Sequence, residues 1–402
     1  MWRNYNFGVV VLARILFTMS NQMLGVANGW QIYSIAHTPA ALGYAGLSLF
    51  LPYILMALPS GDLADRFDRR RLMITANGFQ ALAAALLMIL TLQHSHHLLA
   101  FYLSMAITGG ARALYAPSAQ AIIPLVVTRQ QMPRAIAIGA SAMQTTIIVS
   151  PAVAGLMYAW GPGSVYALCV LLAIGMGIAY STIRMEMHAK SDAAGLNTLG
   201  RIAAGLVYVR THPILLGAIS LDLFAVLLGG ATALLPIYAR DILHTGPEGL
   251  GMLRSAMAVG AVLTAFTLMA LPIKRRAGVL MLITVAIFGG ATIVFGLSTN
   301  YLLSLAAMAV LGASDMISIN IRSTLVQIRT PDHMRGRVSA LNYVFVSTSN
   351  ELGEFRAGMT AAFIGTVPAV VVGGIGTVVV VGLWSWLFPT LRKADSLTVA
   401  EE

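Results

Sequence analysis

The sequence predicts an all-α integral membrane protein, with twelve transmembrane helices in two pseudo-symmetric six-helix bundles. Three observations carry this: apolar composition, charge that alternates between loops, and an echo between the two halves. The 402 residues are 58% hydrophobic and only 10% charged, with a mean hydropathy of +0.80. A soluble domain carries about 25% charged residues. Apolar runs of about 20 residues, the length that crosses hydrocarbon, recur twelve times.

In chain order the first span is placed at Val9–Ile35, an apolar run too long for a cleavable signal peptide and broken by Arg14 and Asn21. The second (Ala40–Ser60) and third (Leu72–Leu92) flank Gly61–Arg71, where seven of eleven residues are charged. Such a cluster cannot sit in hydrocarbon and reads as a short loop, with Gly61 permitting a sharp turn as the second span ends. The fourth, fifth and sixth follow at Leu98–Pro124, Ala135–Ala159 and Ser164–Ile183. The polar connection from Arg184 to His212 then divides the chain near its midpoint. Beyond it come Ile214–Ala239, Leu250–Leu271, Val279–Leu297, Tyr301–Thr324, Ser339–Phe363 and Val367–Phe388. The expected organisation is a bundle over 1–183, a cytoplasmic linker over 184–212, a second bundle over 213–388 and a cytoplasmic tail over 389–402.

Numbering the connections alternately puts nineteen basic residues on one side and Arg240 alone on the other. By the positive-inside rule both termini are expected in the cytoplasm. The net charge of +10 is therefore an orientation signal, and no nucleic-acid partner is expected. The single cysteine, Cys169, allows no disulfide within the chain. His94, His96 and His97 cluster in an external loop and read as a solvated turn, with no metal site expected.

The halves echo each other. Pro39 to Gly43 recurs as Pro247 to Gly251, Ile32-Tyr33 as Ile237-Tyr238, and Gly110-Ala111 with Met132 as Gly312-Ala313 with Met334. Matching order at matching positions describes two bundles related by a pseudo-two-fold axis, with a substrate cavity at their interface near mid-membrane.

Ionisable groups at membrane depth are functional candidates. They are Arg14, Arg112, Asp222, Arg254, Asp315, Arg322, Glu351, Glu354 and Arg356; the alternative for each is interhelical pairing. Arg14, Asn21 and Asn28 form one polar stripe on the first helix, with Gln31 at its edge. This stripe, with Arg112 and Tyr115, is expected to line the cavity from the N-terminal half. Arg322, Tyr343, Ser347 and Asn350 are expected to line it from the other. Asp315 and Arg322 share a face of the tenth helix but lie roughly 10 Å apart along it, so each needs another partner. Glu351 and Glu354 are neighbours at i, i+3, a spacing that disfavours double ionisation. Asp222, Glu351, Glu354 and Asp315 are the proton-coupling candidates, in that order, while Arg356 is expected to serve packing or the interface. A mixed-charge cavity suits an anionic or zwitterionic substrate.

Several segments carry a resemblance to a known superfamily. They are Gly29-Trp30-Gln31-Ile32-Tyr33, the G-x-L-x-D-R-x-x-R-R pattern of Gly61–Arg71, and Leu221-Asp222-Leu223-Phe224 with Leu234–Tyr238. Met334-Arg335-Gly336-Arg337-Val338-Ser339 and Ser349–Phe355 complete the set. Over nearly its whole length the chain resembles the major facilitator superfamily, nearest to the drug/proton antiporter branch that includes the enterobactin (siderophore) exporter. The fifth-helix antiporter signature is partly kept: Pro151 and Gly155 match, while Ser150 and Ala154 replace glycines.

The resemblance implies a monomeric secondary transporter in a bacterial cytoplasmic membrane, with a small-molecule substrate, lipid as its surroundings and no cofactor beyond the proton gradient. Proton-coupled export of small amphipathic molecules is the leading reading. A lysolipid flippase, a metabolite uptake symporter, or a non-transporting sensor or scaffold are the alternatives. No nucleophile–base pair or phosphate loop points to an enzyme. The resemblance also implies a cytoplasmic gate, in which Asp65 caps the eleventh helix near Arg337–Ser339 while Arg66, Arg69 and Arg70 add charge pairs beside Gly61.

Overall fold

The protein is described by a computed structural model, over residues 5–183, 198–273 and 275–394. Among these residues the chain is helical throughout, with twelve long helices and no strand. Eleven helices are long and apolar enough to cross a membrane. The remaining one, the eleventh in chain order, is a helix of 33 residues, Asp332–Ile364. It has the length but carries Arg335, Arg337, Glu351, Glu354 and Arg356.

The spans run longer than the apolar runs that announce them. The first is Tyr5–Ala36 and the tenth Tyr301–Arg329, because a helix does not stop where its side chains become polar. The second span corrects the expected loop: it stays helical from Pro39 through Arg66, and the turn falls at Phe67 and Asp68 rather than at Gly61. Asp68 starts the third span, Arg69–Leu92, by accepting hydrogen bonds from the backbone N–H groups of Arg70 (2.8 Å) and Arg71 (3.2 Å). An N-cap carboxylate at that position satisfies two orphan donors, so Asp68 sets the boundary.

The chain divides into two compact units. The first comprises Met1–Thr198 with His244–Ser255, and the second Leu199–Leu243 with Ala256–Glu402. The same packing device appears inside each. In the first, a Cβ on Gly109 of the fourth span (Leu98–Ala121) would collide with the carbonyl oxygen of Leu49 in the second. In the second, a Cβ on Gly312 of the tenth span would collide with the carbonyl oxygen of Met257 in the eighth, Pro247–Ala270. Leu49 and Met257 occupy equivalent places in the sequence echo, so the repeat extends to backbone-to-backbone contact. The glycine in contact in the first unit is Gly109; Gly110 has open space around it.

The expected seventh span is not one continuous helix. An α-helix covers Pro213–Gly229. A break at Gly230 and Ala231 then leads to a 3-10 turn, one α turn and a π turn ending at Ile242. Gly353 of the eleventh span packs against the backbone of Val226 and Leu227 beside this break. Below it, the short helix Thr198–Thr211 packs close to the eleventh span at Gly205, where a Cβ would press on the carbonyl of Arg337.

Candidate functional site

In the first unit the polar stripe of the first span divides into bonded and unbonded parts. Asn21 Nδ2 donates to Gln80 Oε1 of the third span (3.2 Å) and to the Phe17 carbonyl. Gln31 is bonded at both ends of its amide: its Nε2 donates to Thr91 Oγ1 (2.9 Å) and its Oε1 accepts from the Tyr166 hydroxyl (2.7 Å). It thus joins the first and third spans to the sixth, Pro162–Ser181, and acts as an interhelical junction. Asn28 is completely buried, and among the described residues neither its Oδ1 nor its Nδ2 has a hydrogen-bond partner.

One turn away, the guanidinium of Arg254 lies against Gly25, where an added Cβ would stand 3.3 Å from its Nη1. Gly25 is four residues after Asn21 and three before Asn28, so Arg254 meets the same face. Tyr115 stacks on Phe17 with centroids 3.6 Å apart, and its hydroxyl lies 3.3 Å from that of Tyr180. Arg112 sits over the ring of Tyr53, 5.8 Å from its centroid.

In the second unit Asp222 and Arg322 form an ion pair, with side chains only 6% and 4% exposed. Sequence spacing could state that Arg322 needed a partner; the packing of the tenth span on the seventh supplies it. Asp222 of this pair borders a small cavity of about 10 Å³. Its walls are Asp222, Ala225 and Val226 of the seventh span, Val285 and Phe288 of the ninth (Ala277–Leu297), and Ser314, Asp315 and Ser318 of the tenth. The space is too small for an organic substrate and about sufficient for one water. Asp315 opens onto the same cavity and has no hydrogen-bond or ion-pair partner among the described residues.

On the eleventh span Glu354 accepts a hydrogen bond from Thr232 Oγ1 (3.1 Å) in the 3-10 turn after the break. Asn350 turns back onto the Val346 carbonyl (2.9 Å), Tyr343 is exposed, and Ser347 and Glu351 are partly exposed. Arg356 donates from Nε to the Leu227 carbonyl (2.8 Å) and from Nη2 to that of Leu228. It caps the interrupted seventh span, because those carbonyls have lost their helical partners. The packing role read for Arg356 thus has a particular form.

Of the gate residues, the side chains of Gly61, Asp65 and Arg66 lie outside the described ones. Arg70 donates to the carbonyls of Ser181 (2.6 Å) and Ile183 (2.9 Å), which caps the C-terminus of the sixth span. Arg69 is partly buried. Sequence reasoning missed Thr91, Tyr166 and Tyr180, which read as ordinary apolar-span residues, and Ser318. A serine four residues before a buried arginine and three after a buried aspartate was the available signal.

Eleven helices apolar enough to cross a membrane, with an ion pair between the seventh and tenth spans, are the frame of a major facilitator superfamily transporter, the class that the family match below shows. The structure overlays the nucleoside transporter NupG, in a mutant form, with a TM-score of 0.79 at 13% identity, covering 96% of this chain and all of that one. A D-xylose–proton symporter overlays at 0.73 and 14% identity, covering 95% and 97% of the two chains. Residues 2–401 match the model of the transmembrane secretion effector family, and the chain belongs to that family. It is 27% identical over 392 residues to the enterobactin exporter EntS of Citrobacter koseri, covering 96% of this chain and 92% of the relative. It is 26% identical, with the same coverage, to EntS of Escherichia coli.

Proposed function

We propose that the protein is a proton-coupled exporter that moves small amphipathic anionic molecules, of which siderophores such as enterobactin are the leading candidates. It would act by alternating access, as a monomer in a bacterial cytoplasmic membrane, with both termini in the cytoplasm and the proton gradient as its only driving force. The observation that carries this reading is the partition of charge at membrane depth. The first unit contributes only cations, Arg14, Arg112 and Arg254, to its spans, whereas the second contributes Asp222, Asp315, Glu351 and Glu354 beside Arg322, which pairs with Asp222, and Arg356, which is bonded to the Leu227 and Leu228 carbonyls. Cations suit an anionic substrate, and acids that can be neutralised suit proton exchange. Export is supported by kinship with enterobactin exporters across almost the whole chain.

Asp315 heads the proton-coupling candidates in this reading, ahead of Asp222. Asp222 is already neutralised by Arg322, whereas Asp315 faces the cavity without a counter-charge. Asn28, buried with both amide groups unmet, and Arg254 beside it would hold polar groups of the substrate.

The test uses inside-out vesicles or proteoliposomes with an imposed pH gradient and enterobactin as the probe. The wild type should accumulate it against its gradient and lose that ability when the pH gradient is collapsed. Transport insensitive to the pH gradient would remove proton coupling, and accumulation in the opposite sense would make the protein an uptake symporter.

A further inference from the structure

The geometry points to a one-proton cell formed by Asp222, Arg322, Asp315 and Ser318, in which one water held at Ser318 passes the proton between the two carboxylates. The inference deepens the proposed proton coupling and rests on that reading only for its part in transport.

Charge counting comes first. Two carboxylates, Asp222 and Asp315, border a single cavity in the second unit, and the one guanidinium, Arg322, pairs with Asp222, leaving one negative charge uncompensated at membrane depth. Uncompensated buried charge is strongly disfavoured, and one proton makes the cell neutral. The walls bring no other ionisable group. The ninth span presents Val285 and Phe288, and the twelfth, Thr366–Leu387, packs Thr377 and Trp384 on the seventh and contains no ionisable residue. The eleventh span carries Glu351, Glu354 and Arg356; Glu354 is held by Thr232 and Arg356 by the Leu227 and Leu228 carbonyls.

Ser318 supplies the independent observation. It is 2% exposed, and its hydroxyl has no hydrogen-bond partner among the described residues. Neighbouring hydroxyls on spans turn back onto the carbonyl four residues earlier, as Thr324 does to Asn320 and Ser323 to Ile319. That of Ser318 does not, and its residue lines the cavity. It lies three residues after Asp315 and four before Arg322, hence on their shared face. A hydroxyl and two carboxylates around a water-sized space meet the two to four polar partners an internal water requires.

In the transfer step the Asp315 carboxylic acid gives its proton to the water oxygen as the water gives one of its own to the Asp222 carboxylate. One O–H bond breaks and one forms at each exchange, the water is regenerated, Asp315 becomes the carboxylate and Asp222 the acid. The net charge of the cell is unchanged.

The experiment is infrared difference spectroscopy of the full-length protein in lipid vesicles, stepped from alkaline to acid pH. It reads the carbonyl stretch of newly protonated carboxylic acid and its rate of appearance after a pH jump. The wild type should gain one buried acid. Asp315→Asn and Asp222→Asn should each gain none, since either leaves one carboxylate facing one guanidinium, and Arg322→Gln should gain two. Ser318→Ala should keep the single acid but slow its appearance about tenfold, as loss of one hydrogen bond on the path implies, and Ser318→Thr should restore the rate. A full band in Asp222→Asn or Asp315→Asn, or an unchanged rate in Ser318→Ala, would overturn the cell. Loss of the band on replacing potassium by sodium at fixed pH would mark a sodium site and overturn it too. If the cell titrates as described while a pH gradient drives no enterobactin transport, the transport reading fails and the cell stands; proton-driven transport in Asp315→Asn gives the reverse.

Discussion

Removing Arg322 is the most informative single perturbation of the second unit. Its guanidinium and the Asp222 carboxylate are 4% and 6% exposed, so solvent screens them little, and an Arg322→Leu change leaves Asp222 buried without its counter-charge. Breaking a buried pair from one side costs about 3–5 kcal/mol, whereas replacing both partners by apolar or neutral groups is often near neutral. The expected pattern is therefore a cycle. Arg322→Leu loses about 3–5 kcal/mol, Asp222→Asn loses less because the Asp315 carboxylate remains for the guanidinium, and the double variant recovers most of the Arg322→Leu loss. Reversible denaturant unfolding in mixed micelles, followed by tryptophan fluorescence, measures it. A loss below about 1 kcal/mol in Arg322→Leu is the behaviour of an exposed pair, and it would refute the claim that this pair is buried and mutually dependent.

Three further outcomes follow from packing. Gly312→Val and Gly109→Val place a Cβ into the Met257 and Leu49 carbonyls and should each cost about 1–3 kcal/mol of unfolding free energy, while Gly110→Ala should be nearly silent. Arg356→Met strips the Leu227 and Leu228 carbonyls of their donors; at about 1–3 kcal/mol for a buried unmet acceptor, hydrogen exchange over 226–231 should accelerate at least tenfold, and unchanged exchange would remove its capping role. Tyr166→Phe deletes the bond to Gln31 and should lower stability by about 1 kcal/mol without altering substrate affinity, because Gln31 is a junction between spans.

Much of this architecture was legible because bilayer thickness and charge topology leave few options for a chain so apolar. The twelve helices, their order and the echo between halves follow from run length and repeated Gly and Pro positions. The boundaries did not: Gly61 reads as a turn in isolation, but helix continues to Arg66 until Asp68 offers a cap. The interruption at Gly230 was hidden because Leu227 to Leu235 is as apolar as any span, and its stabilising partner, Arg356, lies more than a hundred residues away. Candidate acids could be found from hydropathy alone, since each stands out against an apolar background. Their ranking could not, because it depends on which acid holds an arginine. Asp222 and Arg322 are a hundred positions apart, and no helical period links them. Gln31 shows the converse: a polar residue on a promising stripe is consumed by Thr91 and Tyr166, which only the packing of three spans reveals.

The claim at the centre of this account is that Asp315 carries the proton exchanged for substrate. Proteoliposomes containing a trapped pH indicator and supplied with enterobactin measure it directly, through proton movement opposite to substrate in wild type and in Asp315→Asn. Proton counter-movement in the wild type, and its loss in a variant that still binds enterobactin, is the result predicted. Equal proton movement in the two proteins would contradict it.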